Sequence, residues 1–326
     1  MIDLCRKEFF HGLLDWIPKE EGVVLRRLPE KLIQWYEEQS EAWGIRANCV
    51  PGARLVVLTD AQAIGFCLEF TGESRPVASF GLVIDGELKP AVERTPEQLE
   101  QPVLIPLDGK LHEVTVYLPH LICFRLKKVW TEGGTKAEPI LPPEKKYYAF
   151  GDSITQGMTG SDPAGTYVSR LARGCCLDVT NFGVGGIRFM PETLMGMEEL
   201  PQPDLVTVAL GTNDWTTGQT ENMSSFLKNC AAYCKEIDRL FPKATVFVLL
   251  PLWRRGETDS FKRGTLQDIR DNIAKTAAFF PAIKVIDAKP MIPAEECYFA
   301  DGLHPNNEGF ALYGQALCEA VARLWE

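Results

Sequence analysis

The spacing of apolar positions changes character near residue 140. Between about 50 and 131 they come in short runs bounded by turns: Leu55 to Leu58, Ile64 to Phe70, and His112 to Leu118. The last alternates with period two, as a strand with one wet face does. Asp85-Gly86 and Asp108-Gly109 are dipeptides of the kind that close hairpins. Closely spaced antiparallel strands predict a β-sandwich, led in by one helix from Pro29 to Glu41. Residues 132–143, with Gly133, Gly134, Pro139, Pro142 and Pro143, have the composition of a linker.

After the linker, strand-like runs alternate with amphipathic segments. The runs are Tyr147 to Phe150, Asp178 to Thr180, Leu205 to Leu210, Thr245 to Leu250 and Lys284 to Ile286. Met223, Phe226, Leu227, Cys230, Cys234 and Ile237 recur at helical spacing. So do Leu266, Ile269, Ile273 and Ala277, and then Phe310, Tyr313, Leu317, Val321 and Leu324. Strand and helix in alternation predict a parallel sheet covered on both faces. Two domains are expected, 1–140 and 141–326, and 326 residues suffice for two cores.

A composition of 45% hydrophobic and 24% charged residues is that of a soluble globular protein. No apolar run approaches the roughly 18 residues that span a bilayer. Met1 to Glu8 carries acid where a secretion signal carries positive charge, so a cytoplasmic location is expected. The ten cysteines are scattered through apolar runs, which predicts reduced, packed thiols. Cys175-Cys176 and the pair Cys230 and Cys234 lack a histidine or second cysteine pair at zinc-like spacing, so no metal is expected, nor any cofactor. A net charge of −10 with no basic stripe disfavours nucleic acid. Oligomeric state is left open.

In an open parallel sheet, ligands sit beyond the carboxyl ends of the strands. Four polar clusters fall there: Gly151-Asp152-Ser153, Asn181 to Gly186, Gly211-Thr212-Asn213-Asp214, and Asp301 to Asn306, which opens the last helix. A serine attacks only when a base removes its proton. Of four histidines, His11, His112 and His120 lie in the first half; His304 alone follows a strand of the second. Asp301, three residues before it, can orient the imidazole and stabilise its charged form. The Asn213 amide and the backbone N–H groups of Ser153 and Gly186 can serve as oxyanion donors, and glycine at 186 lets that N–H approach closely.

Each cluster alone has a blander reading, as a turn, a capping loop or a metal half-site. Together they resemble the four blocks of the SGNH hydrolases, the GDSL esterase/lipase superfamily, over residues 146 to 326. The resemblance implies a three-layer α/β/α, flavodoxin-like domain. It also implies Ser153 as nucleophile, Gly186 and Asn213 in the oxyanion hole, and Asp301 and His304 as acid and base. No Gly-x-Ser-x-Gly elbow surrounds Ser153, which separates the chain from ordinary α/β-hydrolases. The first half, through Gly52 to Asp60, looks like the jelly-roll-like sandwich of two-domain carbohydrate-esterase-like members. It is expected either to recognise glycan or to stabilise the catalytic unit.

The resulting expectation is a serine esterase acting on short acyl esters, acetyl above all, on a carbohydrate. Asp152, Trp215 and Trp253 are candidate substrate contacts, the tryptophans because indoles suit the apolar faces of sugars. Arg254, Arg255 and Arg263 read either as partners of an anionic substrate or as a solvated loop. An acyltransferase, a lipid or thioester acylhydrolase, and a glycan-binding protein with a vestigial hydrolase half remain as alternatives.

Overall fold

The computed structural model describes residues 1–217 and 219–325. The second half is built on five parallel strands, in spatial order Asp178–Asn181, Lys146–Gly151, Leu205–Ala209, Thr245–Leu249 and Ile283–Ile286. The first strand therefore sits second in the sheet, the flavodoxin-like order, and the chain reverses direction across the sheet beside it. Helices Met223–Leu240 and Leu266–Ala277 lie over one face. Tyr167–Gly174 and Asn307–Leu324 lie over the other. Strands buried on both faces read as continuous apolar runs, which is why all five were visible in the sequence.

The first half holds two five- to six-stranded antiparallel sheets. One runs Phe10–His11, Arg54–Thr59, His112–Tyr117, Phe80–Ile84, Glu87–Val92, and the other Asp15–Pro18, Val23–Arg26, Ile122–Glu132, Ala63–Glu73, Val103–Pro106. Leu55, Val57, Phe66, Phe80, Val116 and Leu126 meet between them. The hairpin expected at Asp85-Gly86 is present, with positive φ at both residues as a tight turn of that hand needs. The one expected at Asp108-Gly109 is not. Strands Val103–Pro106 and His112–Tyr117 belong to different sheets, so this turn carries the chain across the sandwich. Part of the linker is also a strand: Ala137–Pro139 pairs antiparallel with Arg54–Thr59. Asp60 organises the turn before it, accepting from the N–H groups of Thr135 and Lys136 at 2.8 Å each.

The single helix expected over Pro29 to Glu41 is two, Glu30–Gln39 and Glu41–Asn48, divided at Ser40, whose hydroxyl caps the second by accepting from Trp43 N at 3.2 Å. Their apolar faces do not join the sandwich. Leu28, Leu32, Ile33, Tyr36 and Ala47 share a core with Tyr148, Phe182 and Tyr233 of the α/β half. A division at residue 140 therefore describes the chain but not its packing.

One buried cation fixes this arrangement. Arg27 is 1% exposed and has no carboxylate partner among the described residues. Its guanidinium donates to three carbonyls: Cys49 at 2.8 Å, Asn181 at 2.7 Å and Arg46 at 3.0 Å. Burial pushes its pKa down to about 10, so it stays charged at neutrality. Asn181 ends a strand of the parallel sheet, so this one side chain ties the N-terminal helices to that sheet's carboxyl edge. Arg27→Met should lower the unfolding free energy by about 3 kcal/mol or more, because it takes a charged donor from three carbonyls, of which only that of Arg46 keeps a second side-chain donor, Gln156 Nε2 at 3.3 Å. Urea denaturation measures this directly; an unchanged midpoint would contradict the role given to Arg27.

Candidate active site

Ser153 opens a single helical turn, Ser153–Gln156, straight after the strand Lys146–Gly151. Asp152 caps that turn, its Oδ1 accepting from Ile154 N at 3.0 Å. A side chain at 151 is impossible here: a Cβ would stand 2.0 Å from Thr155 Oγ1 and 2.8 Å from Ala209 O. Ser153 is 5% exposed and His304 7%. His304 Nε2 lies 2.8 Å from Ser153 Oγ, and its Nδ1 lies 2.8 Å from Asp301 Oδ2. An ionised carboxylate can only accept, so Nδ1 carries the proton and Nε2 is left to accept from the serine hydroxyl. The other oxygen of Asp301 accepts from His304 N at 2.8 Å and Leu303 N at 3.1 Å. The carboxylate is thus aimed by its own turn before it meets the imidazole.

These contacts set the electrostatics. Burial pushes the His304 pKa below its usual value; the hydrogen bond and charge of Asp301 pull the other way, and Arg75 and Arg254 push it down again. The downward effects prevail. Burial raises Asp301, but the backbone N–H and imidazole of His304 more than offset it and hold the carboxyl below the ordinary range. Asp152 is pushed up to about 7 by burial, with the charge of nearby Asp214 adding to it.

Two of the residues expected as oxyanion donors, Gly186 and Asn213, lie on loops that contact the serine turn: Gly185 N donates to Gln156 and Asn213 approaches Asp152. Gly186 has φ +87°, which only glycine adopts freely, and it lies in the loop after strand Asp178–Asn181. Asn213 Nδ2 is held by Ile187 O at 2.9 Å and makes only a long 3.4 Å approach to Asp152 Oδ2. Its second hydrogen is therefore weakly engaged.

Two polar side chains hold these pieces together, and sequence reasoning assigned a function to neither. Asn181 Nδ2 donates to Thr155 O at 2.7 Å, while its Oδ1 accepts from Gly183 N at 2.8 Å. Gln156, fully buried, accepts from Gly185 N at 2.8 Å. Both bolt the glycine loop onto the serine turn. His120 also reaches the site, from the sandwich, where its first-half position had set it apart. It is 1% exposed and its Nε2 donates to Gly157 O at 3.0 Å, at the end of the serine turn. That bond occupies the nitrogen and leaves His304 as the imidazole facing Ser153.

The expected substrate contacts fare differently. Asp152 is 2% exposed and spent on capping, so it supports the serine turn rather than a ligand. Trp215 is 4% exposed, packed against Phe261 at 4.9 Å between centroids, with the Arg254 guanidinium over its ring at 4.9 Å. It belongs to the core, and the arginine covers it. Trp253 is half-buried, packs on Phe299 and borders a cavity of about 20 Å³ beside Asp152. Arg255 pairs with Glu296. Arg263 is no solvated residue: it is buried, donating to Asp214 O at 2.7 Å and pairing with Glu221. Among the described residues no group of three or more His, Cys, Asp or Glu side chains is placed to hold a metal ion. Among the described residues no helix is long and apolar enough to cross a membrane.

The model of one family, described as GDSL-like lipase/acylhydrolase, matches residues 149–312. No curated protein matches the sequence. Among solved structures, a salicylyl-acyltransferase from a tetracycline biosynthetic pathway is similar in fold, with TM-score 0.84 at 20% identity over 99% of this chain and 96% of that one. An acetyl xylan esterase from the rumen bacterium Butyrivibrio proteoclasticus gives TM-score 0.64 at 12% identity, over 98% and 96%. A family two carbohydrate esterase from Clostridium thermocellum gives 0.62 at 16% identity, over 83% and 91%. These likenesses extend over both halves of the chain.

A reaction begun by Ser153 needs His304 neutral, so its acid limb follows the imidazole. With that pKa depressed, kcat/KM should lose half its value only below about pH 6.5, the ordinary histidine value. Asp301→Asn removes a group that raises the pKa, so it should move the limb lower still while cutting kcat by about 10⁴. A pH–rate profile checks both, and a limb above 6.5 would contradict the burial argument.

Proposed function

The chain belongs to the GDSL-like lipase/acylhydrolase family and is an ester hydrolase by fold and family, and from that premise we propose a serine esterase working through Ser153, His304 and Asp301. The observation that carries this reading is the continuous chain of 2.8 Å contacts from Ser153 Oγ through both imidazole nitrogens to Asp301. His304 Nε2 takes the hydroxyl proton as Oγ attacks the acyl carbon. The carbonyl π pair moves onto oxygen, which the N–H groups of Ser153 and Gly186 and the Asn213 amide stabilise. Collapse breaks the acyl–oxygen bond, and His304 returns the proton to the leaving alkoxide. Water then enters by the same route and releases the acid, regenerating Ser153.

For the substrate we favour a short acyl group, acetyl foremost, on a carbohydrate. The two-domain fold shared with carbohydrate esterases supports this. A second reading keeps the acyl-enzyme but gives the acyl group to an alcohol. It is supported by the higher fold similarity, TM-score 0.84, to a protein described as an acyltransferase. Adding acceptor alcohols separates the two: a transferase forms a new ester at the expense of free acid.

Ser153→Ala should abolish acid release from 4-nitrophenyl acetate and acetylated xylan, leaving no more than background. Asn213→Ala should cost about 100- to 1000-fold in kcat, the usual worth of one oxyanion donor. Full activity in the Ser153 variant would overturn the mechanism. An optimum at eight or more acyl carbons would overturn the acetyl assignment alone.

A further inference from the structure

Three guanidinium groups converge on the Ser153 cleft, and two come from the N-terminal part of the chain. Arg46, in the last turn of helix Glu41–Asn48, donates through Nη1 to Gly185 O at 2.8 Å. The same nitrogen would lie 3.0 Å from a Cβ built on Gly186, so it stands over the oxyanion loop. Arg75 lies on the loop after strand Ala63–Glu73, and among the described residues its guanidinium donates only to the neighbouring Ser74 carbonyl, at 3.1 Å. That loop is pinned by Ser74 N donating to Leu121 O at 2.8 Å, next to His120 and its bond to Gly157. Arg254 closes the other side, donating to Thr212 Oγ1 and Thr216 Oγ1 at 3.1 Å each, while its buried Nε has no partner.

No carboxylate is within ion-pair distance of these three among the described residues. Nearby arginines are treated differently: Arg255, Arg263 and Arg270 are matched to Glu296, Glu221 and Glu257. The charge of Arg75 is felt both by Arg46 and by His304, and that of Arg254 by His304 as well. Three like charges gathered at a half-buried cleft, in a chain of net charge −10, repel one another until an anion arrives. Planar guanidinium groups suit carboxylate and phosphate oxygens in particular.

We propose that Arg46, Arg75 and Arg254 form an anion-binding rim to the Ser153 cleft, and that the preferred ester carries a carboxylate or phosphate beside the scissile bond. The proposal rests on Ser153 as the nucleophile, and it gives the N-terminal region a direct part in choosing substrate. The anion sits either on the acyl group or on the alcohol, which includes acidic and phosphorylated sugars.

The test compares matched pairs of esters in the full-length protein. Mono-4-nitrophenyl succinate against 4-nitrophenyl butyrate reads an anion on the acyl side. Acetylated glucuronic acid and acetylated glucose 6-phosphate, each against acetylated glucose, read a carboxylate or a phosphate on the alcohol side. In at least one pair the anionic ester should win by about 10-fold or more in kcat/KM, chiefly through KM, with a gap that narrows as salt rises. Arg75→Gln should erase about 10-fold of that preference and Arg75→Lys should restore part of it. Calorimetric binding of the same uncleaved esters to Ser153→Ala keeps the test independent of turnover. Tighter binding of an anionic ester, lost with Arg75→Gln in that background, supports the rim. Equal or weaker binding of every anionic ester overturns it, even if neutral esters are hydrolysed. Anion-selective binding without acid release from any ester would instead overturn the proposed hydrolysis and leave the rim standing.

Discussion

The hydrogen bond between Ser153 Oγ and His304 Nε2 joins residues 151 positions apart, and the catalytic half is arranged to make it short. Neither side chain is placed by its own preference. Ser153 is set by a glycine that lets a helical turn fold back onto its strand and by the Asp152 cap. His304 is set by a turn in which Asp301 binds two backbone N–H groups before it binds the ring. Both residues are nearly inaccessible, so the bond forms where water does not compete for either partner. The same burial makes the imidazole reluctant to take a proton in the resting state. Asp301 pulls the other way, and in the proposed mechanism it would stabilise the charged imidazole when Ser153 gives up its proton.

The glycine loop that carries Gly186 depends on a second set of constraints, and these cross from one half of the molecule to the other. Asn181 and Gln156 bind the glycine loop to the serine turn. Arg27 then grips Asn181 O from behind, while Arg46 grips Gly185 O from the cleft side. The N-terminal helices contribute apolar surface to the same core as the sheet strands. The sandwich is therefore no detachable appendage. His120 and the loop bearing Arg75 come from it; His120 bonds to the end of the serine turn, and the charge of Arg75 is felt by His304. The loop that carries Gly186 is thus held in part by side chains from the first 130 residues, Arg27 and Arg46.

How much of this was legible in the sequence follows from the physics of each part. Strands buried on both faces leave continuous apolar runs, and polar clusters after such runs mark the carboxyl edge of a parallel sheet, so Ser153, Asn213 and His304 stood out. Residues whose role lies in one long-range hydrogen bond left no periodic trace; Asn181, Gln156 and Arg27 are of this kind. Trp215 was misread because a tryptophan beside a catalytic loop has the same local sequence whether it faces a ligand or the core. Asp152 caps the serine turn, a use the sequence did not separate from ligand binding because both want a carboxylate. At Asp108-Gly109 the turn chemistry was read correctly and the pairing was not, since the dipeptide specifies a reversal but not which sheet receives the next strand. The convergence of Arg46, Arg75 and Arg254 was beyond reach, as 208 residues separate the first from the last.

The central claim is that Ser153 Oγ carries the acyl group between two half-reactions. Mass spectrometry of the protein quenched during turnover of a slow acyl ester, or after treatment with a fluorophosphonate, tests it most directly. A single adduct of the acyl or phosphonyl mass is expected, located by fragmentation at Ser153 and missing from His304→Ala. An adduct on another residue, or none in a protein that turns the ester over, would contradict it.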